Sequence, residues 1–254
     1  MIREFHRPAS IEQAVELYRQ HQGRARYMAG GAEINNPDSG LNCECAVSLA
    51  DLGLDSVAAG RDDILVGVCT TLQTVMDHPD MPPSLCRAAG FLHSRHMRNQ
   101  YTIGGDIAAR RNDSYTAAAL MALKAMLHTA DQGDMSVEEY VLGTSDALIL
   151  SVSIPSRTTR SCELFRQNRS QRGPLLMNMA VGRDADGGAP VVAVSGAGIS
   201  LTRLSKTESL LASGADVKQA AKQASEEVPL TGHWLGSDEY FRHLCGAAFA
   251  HCVR

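Results

Sequence analysis

The stretch Arg98-Asn99-Gln100-Tyr101-Thr102-Ile103-Gly104-Gly105-Asp106-Ile107-Ala108 decides how the chain is read. It has an earlier counterpart, Tyr27-Met28-Ala29-Gly30-Gly31-Ala32-Glu33-Ile34, at the end of a short strand pattern over residues 24–29. Each places a glycine pair at a strand end or in a tight loop. Glycine admits φ > 0 and lets a ligand come close to the backbone. Successive N–H groups in such a turn form a nest that can hold a diphosphate without Lys or Arg. By spacing alone, two ordinary turns read the same way. Neither stretch is G-x-G-x-x-G, so no Rossmann site is indicated. Ser195-Gly196-Ala197-Gly198-Ile199-Ser200-Leu201 begins like that fingerprint, but Leu201 stands at the third glycine and the segment reads as a turn.

Working outward, residues 10–19 read as a helix with Ser10 as N-cap and Gln13 completing a capping box. Residues 46–49 and 64–68 read as strands, and 71–76 and 85–93 as helices. A loop holding the second glycine pair follows, then an alanine-rich helix over 115–127. A short helix at 137–141 and a strand at 147–154, ended by Pro155, complete the first portion. The small, polar, basic stretch 156–161 marks a boundary. Strands at 163–167, 175–181 and 190–194 follow, with a hairpin-turn signal at 184–188. Helices at 207–212, 216–224 and 237–253 close the chain, and the whole reads as α+β.

The 254 residues carry 24 Lys+Arg against 28 Asp+Glu, a net charge of −4 that leaves no footprint for nucleic acid or an anionic membrane. No apolar run approaches the ~18–20 residues of a membrane span, and the first residues hold no apolar signal core, so no secretory signal is expected. Seven cysteines, an odd count, are scattered; only Cys43 and Cys45 are close, with no second pair to complete a zinc or iron–sulfur site. They read as buried free thiols of a cytoplasmic protein. His93 and His96 lack a third ligand, so no metal site is expected. Arg110-Arg111 and the Cys43–Cys45 loop are candidates for a rim that meets partners, with a solvated loop as the plain reading of the arginines. Trp234 reads as a packing anchor for the last helices. No nucleophile–base or paired-carboxylate constellation is visible, and no catalytic residue is assigned.

Taken together, Ala29-Gly30-Gly31-Ala32-Glu33-Ile34 and the eleven-residue stretch from Arg98 resemble the paired signature of the FAD-binding subunit of the xanthine dehydrogenase and molybdenum hydroxylase family. The likeness extends to Phe5-x-Arg7-Pro8, Val47-x-Leu49-x-x-Leu52, Ile154-Pro155 and Ser195-Gly196-Ala197-Gly198. It implies a two-subdomain FAD-binding portion of the PCMH type over residues 1–158 (about 1–54 and 55–158). A C-terminal α/β domain over 159–254, like that of carbon monoxide dehydrogenase flavoprotein, would follow. It implies non-covalent FAD, with the N–H groups of Met28, Ala29, Gly30, Gly31, Ala32, Glu33 and Ile34 around the diphosphate and Tyr27 among the cofactor-binding residues. Thr102, Ile103, Gly104, Gly105 and Asp106 would meet the diphosphate, ribityl chain and flavin edge. Leu92 would lie beside the flavin, Ile149 near the ring or adenosine, and Arg166 where the family often has a cofactor-reaching lysine. Asp106 stands where the family has Asn, and a carboxylate beside a diphosphate is unfavourable unless it points at a hydroxyl. Tyr115 occupies the place of a family aspartate, for which Asp113 is the nearest substitute. Arg172-Gly173-Pro174 replaces the family's late Arg-x-x-x-Asp pattern. The implied function is electron transfer from iron–sulfur and molybdenum-cofactor partner subunits through FAD to an acceptor such as NAD+. The alternatives are an assembly module with weak or no flavin binding and a free-standing flavin reductase.

Overall fold

Short β-branched and apolar runs, broken by Gly, Pro and Asp, produce many small elements on three sheets. The structure is a computed structural model and describes residues 2–21, 23–156, 159–170 and 173–253. Arg157 and Thr158 of the expected boundary stretch, and Arg172, lie outside the described residues.

Strands β1 (Glu4–His6), β2 (Ala25–Met28) and β3 (Cys45–Ser48), with helix α1 (Ile11–Gln20), form the first unit. The strands are parallel, in the order β1-β3-β2, with Phe5 opposite Ala46 and Tyr27 opposite Val47. Ser10 Oγ accepts from Gln13 N–H at 3.2 Å; Gln13 Oε1 accepts in turn from Ala9 N–H at 2.7 Å, one residue before the place a capping box uses. Ala14 and Val15 of α1 join Val47 and Leu49 in the core.

The second unit runs β4 (Val57–Ala59), β5 (Asp63–Gly67), α2 (Leu72–Asp77), α3 (Pro83–Gly90), α4 (Arg95–Arg98), α5 (Ile103–Ala108), α6 (Ala117–Ala122), β6 (Met126–Thr129), β7 (Asp134–Ser136), α7 (Val137–Leu142) and β8 (Ile149–Pro155). Its antiparallel sheet has the order β4-β5-β8-β6-β7. Ile64, Val66, Leu127, Val152 and Ile154 face the helices. Two expectations fail here. The second glycine pair lies in the first turn of a helix rather than a loop. The alanine-rich helix stops at Ala122, where Lys124 at φ 56° turns the chain into β6 and sets Leu127 opposite Val152.

The third unit is the antiparallel sheet β9 (Arg160–Asn168), β10 (Leu175–Asp184), β11 (Val191–Gly196) and β12 (Ile199–Arg203), followed by α8 (Ser205–Ala212), α9 (Val217–Glu227) and α10 (Asp238–Cys252). The expected turn after Ser195 is the β11–β12 hairpin, with Gly198 at φ 68°. β10 is buried over most of its length because both faces are covered. Ala180 joins the core of the second unit, whereas Met177, Met179 and Val181 pack with Ala220, Ala224 and Phe249 of α9 and α10. The buried Arg160 donates to the Ala122 carbonyl at 2.7 Å and pairs with Asp184. Trp234 does not anchor the helices. It is 77% exposed, beside Arg169, while Leu235 packs with Phe241. All seven cysteines are free thiols, with Cys43 and Cys45 buried and thus not part of an exposed rim. No helix among the described residues is long and apolar enough to cross a membrane.

Candidate functional site

β2 delivers the chain into the first glycine stretch, and the cap of α5 places the second against it. Between them lies a cleft of about 420 Å³, within the size range of small-molecule sites. A second cleft of about 430 Å³ lies on the other side of Gly30–Ala32, against Asn35, Asn36 and Met97.

The first stretch keeps its backbone donors free. Among the described residues, the N–H groups of Gly30 to Ile34 donate to no protein acceptor, while the Gly31 and Glu33 carbonyls accept from Asn35 and Asn36 N–H. Gly31 sits at φ 70°, a conformation that favours glycine. A Cβ on Gly30 would overlap the Gln100 carbonyl, so glycine lets the two stretches touch. Tyr27, Ala29, Gly30, Gly31, Ala32, Glu33 and Ile34 all line the first cleft, between the two glycine stretches; Met28 does not.

The second stretch uses its donors internally. Thr102 is the N-cap of α5, its Oγ1 accepting from Gly105 N–H at 3.1 Å. Ile103 N–H donates to the Thr70 carbonyl and Gly104 N–H to that of Val68. Ile103 is fully buried, and a Cβ on Gly104 would overlap the Val68 side chain. Gly104 is therefore a helix-to-strand packing position. Neither Ile103 nor Gly104 lines the cleft, whereas Thr102, Gly105 and Asp106 do.

Asp106 meets protein donors in place of a diphosphate. Its buried carboxylate accepts from Ser114 Oγ (2.8 Å), Tyr115 N–H (3.2 Å), Thr116 N–H (2.7 Å) and Thr116 Oγ1 (2.6 Å). It thereby closes the loop that leads into α6. Hydrogen bonds from protein donors of this kind are charge-assisted, and they account for a carboxylate at this buried position.

Asp113 lines the cleft, held in two hydrogen bonds by Arg111. Burial pulls its pKa up, but the hydrogen bonds and charge of Arg111 outweigh this and leave the carboxyl below its usual range. Arg111 also reaches Glu33 at 2.5 Å, so one guanidinium ties the first stretch to the loop after the second. Arg110, at φ 50°, lies 4.6 Å over the Tyr140 ring and donates to the Tyr140 and Ser145 carbonyls. These arginines belong to the cleft and not to a solvated loop.

Three other expected positions lie behind the cleft. Arg166 on β9 donates to the Asp113 and Ser114 carbonyls, both at 2.9 Å, and its Cζ stacks 4.8 Å over Tyr115. Burial lowers its pKa. Ile149 is a core residue, and Leu92 packs on that core while its carbonyl accepts from Arg98 at 2.6 Å. Arg98, buried, also bonds Gln73 and the His93 carbonyl, so the first residue of the deciding stretch is a clamp. His93 and His96 are exposed.

Sequence reading missed the aromatic wall. Tyr18 and Tyr27 stack at 4.4 Å, Tyr140 stands beside them, and Tyr101 meets Tyr115 edge-on at 6.0 Å. Tyrosines at i and i+9, or beside a recognised loop, carry no spacing signal. Three arginines against four carboxylates line the cleft, so it offers no strong positive field.

The family model described as the FAD binding domain in molybdopterin dehydrogenase matches residues 1–157. Uncharacterized protein YgfM of Escherichia coli strain K12 is 35% identical over 254 residues, covering 98% of this chain and 95% of the relative. A chain of carbon monoxide dehydrogenase from Hydrogenophaga pseudoflava, in a form lacking the Mo-pyranopterin moiety, matches with a TM-score of 0.86 at 20% identity, covering 100% of this chain and 96% of that one. Quinoline 2-oxidoreductase from Pseudomonas putida 86 matches with a TM-score of 0.82 at 18% identity, covering 100% and 95%. At these identities the structural likeness establishes the fold. The chain belongs to the family of FAD-binding domains of molybdopterin dehydrogenases. It is thus a flavoprotein-type oxidoreductase subunit, and FAD is its cofactor.

Proposed function

We infer that the chain holds FAD non-covalently across the cleft, with the diphosphate on the N–H groups of Gly30 to Ile34. The observation that carries this is the run of free donors. An unpaired N–H is costly once water is excluded, and successive donors suit an anion. Because the cleft has no excess of cationic side chains, these dipoles supply the attraction. The donors of Ile103 and Gly104 are already committed, so the second stretch acts by packing. Thr102 and Gly105 form the opposing wall, and the Glu33–Arg111–Asp113 chain fixes the distance between the walls. The tyrosines offer flat surfaces for the ring systems.

Bound FAD supplies the electron-transfer chemistry, and the protein supplies position and electrostatics. No side chain is required as a general base. The family and the fold of carbon monoxide dehydrogenase support a subunit that works with iron–sulfur and molybdenum-cofactor polypeptides and passes electrons to an acceptor such as NAD+.

The test is purification from the native host, with FAD, iron and molybdenum measured in the eluate, alongside the Ala32→Glu variant. Ala32 lines both clefts and has no positive φ, so the substitution adds bulk and charge without backbone strain. The expected result is a yellow eluate containing all three components, and a colourless variant with unchanged circular dichroism. A chain that stays colourless after incubation with FAD, or a variant that keeps it, overturns the binding mode. A chain recovered alone, without iron or molybdenum, overturns the partner reading.

A further inference from the structure

The first sheet brings together four metal-ligating side chains from three elements. Glu4 and His6 lie two apart on β1 and so point to one face. Cys45 on β3 stands opposite Glu4 in a parallel register, which puts it on the same face. Val47, two residues on, belongs to the core cluster of Ala14 and Val15, so this is the face α1 covers. His21 is the C-cap residue of α1 and arrives over that face.

The ligand atoms of Glu4, His6, His21 and Cys45 all lie within 4.8 Å of one another. Glu4 Oε2 is 3.4 Å from His6 Nε2 and 3.8 Å from His21 Nε2. Zinc bonds of about 2.0–2.3 Å in a tetrahedron set neighbouring ligand atoms about 3.3–3.8 Å apart. Cys45 is buried, both histidines are partly buried, and Glu4 is exposed, so the group is closed on the core side and reached from solvent. Cys43 stays outside it, its Sγ donating to the Cys45 carbonyl.

We propose that these four residues form a Zn²⁺ site. Imidazole, thiolate and carboxylate are the donor types zinc takes, and four protein ligands leave no open position, the mark of a structural site. On binding, the Cys45 thiol releases its proton to solvent and an S–Zn bond forms. Thiolate and carboxylate together then balance the dication, so no net charge is placed against the core. The site staples a three-residue edge strand to α1 and to the central strand β3. None of the four residues lines the flavin cleft, so the site is independent of the proposed function.

The test uses the untagged full chain, kept in reductant and stripped with a chelator. It is titrated with Zn²⁺ against a chromophoric competitor and with Co²⁺ for its spectrum. The expected result is one tight equivalent and a thiolate-to-cobalt charge-transfer band that Cys45→Ser removes. His6→Ala and His21→Ala should each weaken binding by more than the roughly 10–100-fold that loss of an outer-shell partner costs. These partly exposed positions carry the test if Cys45→Ser does not fold. His93→Ala should change nothing. Absence of competition for Zn²⁺, absence of the cobalt band, or affinity unchanged in the His6→Ala/His21→Ala pair overturns the proposal and leaves an ordinary carboxylate–histidine contact.

Discussion

Asp106 converts one buried charge into the cap of a whole loop. Four donors from Ser114, Tyr115 and Thr116 converge on its carboxylate, and the side chain is 4% exposed. Asn at this position keeps one acceptor oxygen and turns an NH₂ toward groups that already donate. Asp106→Asn should therefore cost roughly 2–3 kcal/mol, the scale of a lost charged hydrogen bond with an unsatisfied partner. Urea denaturation of the variant measures it, and an unchanged midpoint contradicts the assignment. The identity of the residue was plain in the sequence, but its role was not. A carboxylate eight to ten residues from its partners finds them only once α5 and the following loop turn back on each other.

At the scale of elements, α5 shows what a motif reveals and what it hides. The stretch from Arg98 supplies one wall of the cleft, yet its glycine pair suggested a loop because glycine disfavours helix. Thr102 three residues before Gly105 is an N-cap signal that marks the helix start. Packing of α5 on the residue that follows β5 then fixes Gly104 as a point of close approach, against Val68. Gly104→Ala should destabilise by about 1–3 kcal/mol through overpacking. Val68→Ala in the same chain should recover part of the loss, read as a favourable coupling in a double-mutant cycle. Additive losses would mean the two residues do not compete for the same space. Strand β6 escaped sequence reading for a related reason: an alanine-rich run favours helix, and only pairing with β8 makes residues 126–129 a strand.

At the scale of the molecule, thiols lie in both main cores, the one that draws on all three units and the one between β10 and the last helices. Burial raises the Cys69 thiol to about 11 and those of Cys162, Cys245 and Cys252 to about 12. An unfolded thiol titrates near ~8.5. The native state thus holds protons that the unfolded chain gives up, so this contribution is complete below pH ~8.5 and is lost as pH rises toward 11 to 12. Denaturation midpoints should fall steadily from pH 8.5 to 10.5, a range set by the unfolded thiol value of ~8.5. Replacing Cys245 with Ala should flatten that slope; an unchanged slope would remove the thiols as its cause. The scattered cysteines pointed to buried free thiols, and five of the seven are buried while Cys69 and Cys86 are half-buried. Their spacing could not reveal that Cys45 lies beside two histidines and a glutamate, because separations of 2, 15 and 24 residues match no metal motif, and it takes the parallel β1–β3 register together with the end of α1 to bring the four together.

The strand order β4-β5-β8-β6-β7 places the last-made strand in the middle of its sheet. A ribosome releases β4 and β5, then β6 and β7, well before residues 149–155 emerge. Until then two hairpins exist, each with a bare edge along β5 or β6 and nothing to join them. Such edges invite pairing with other chains. A nascent chain stalled just short of Ile149 is accordingly the length at which this protein most needs a chaperone. The seven residues of β8 cover both edges at once by inserting one strand between them.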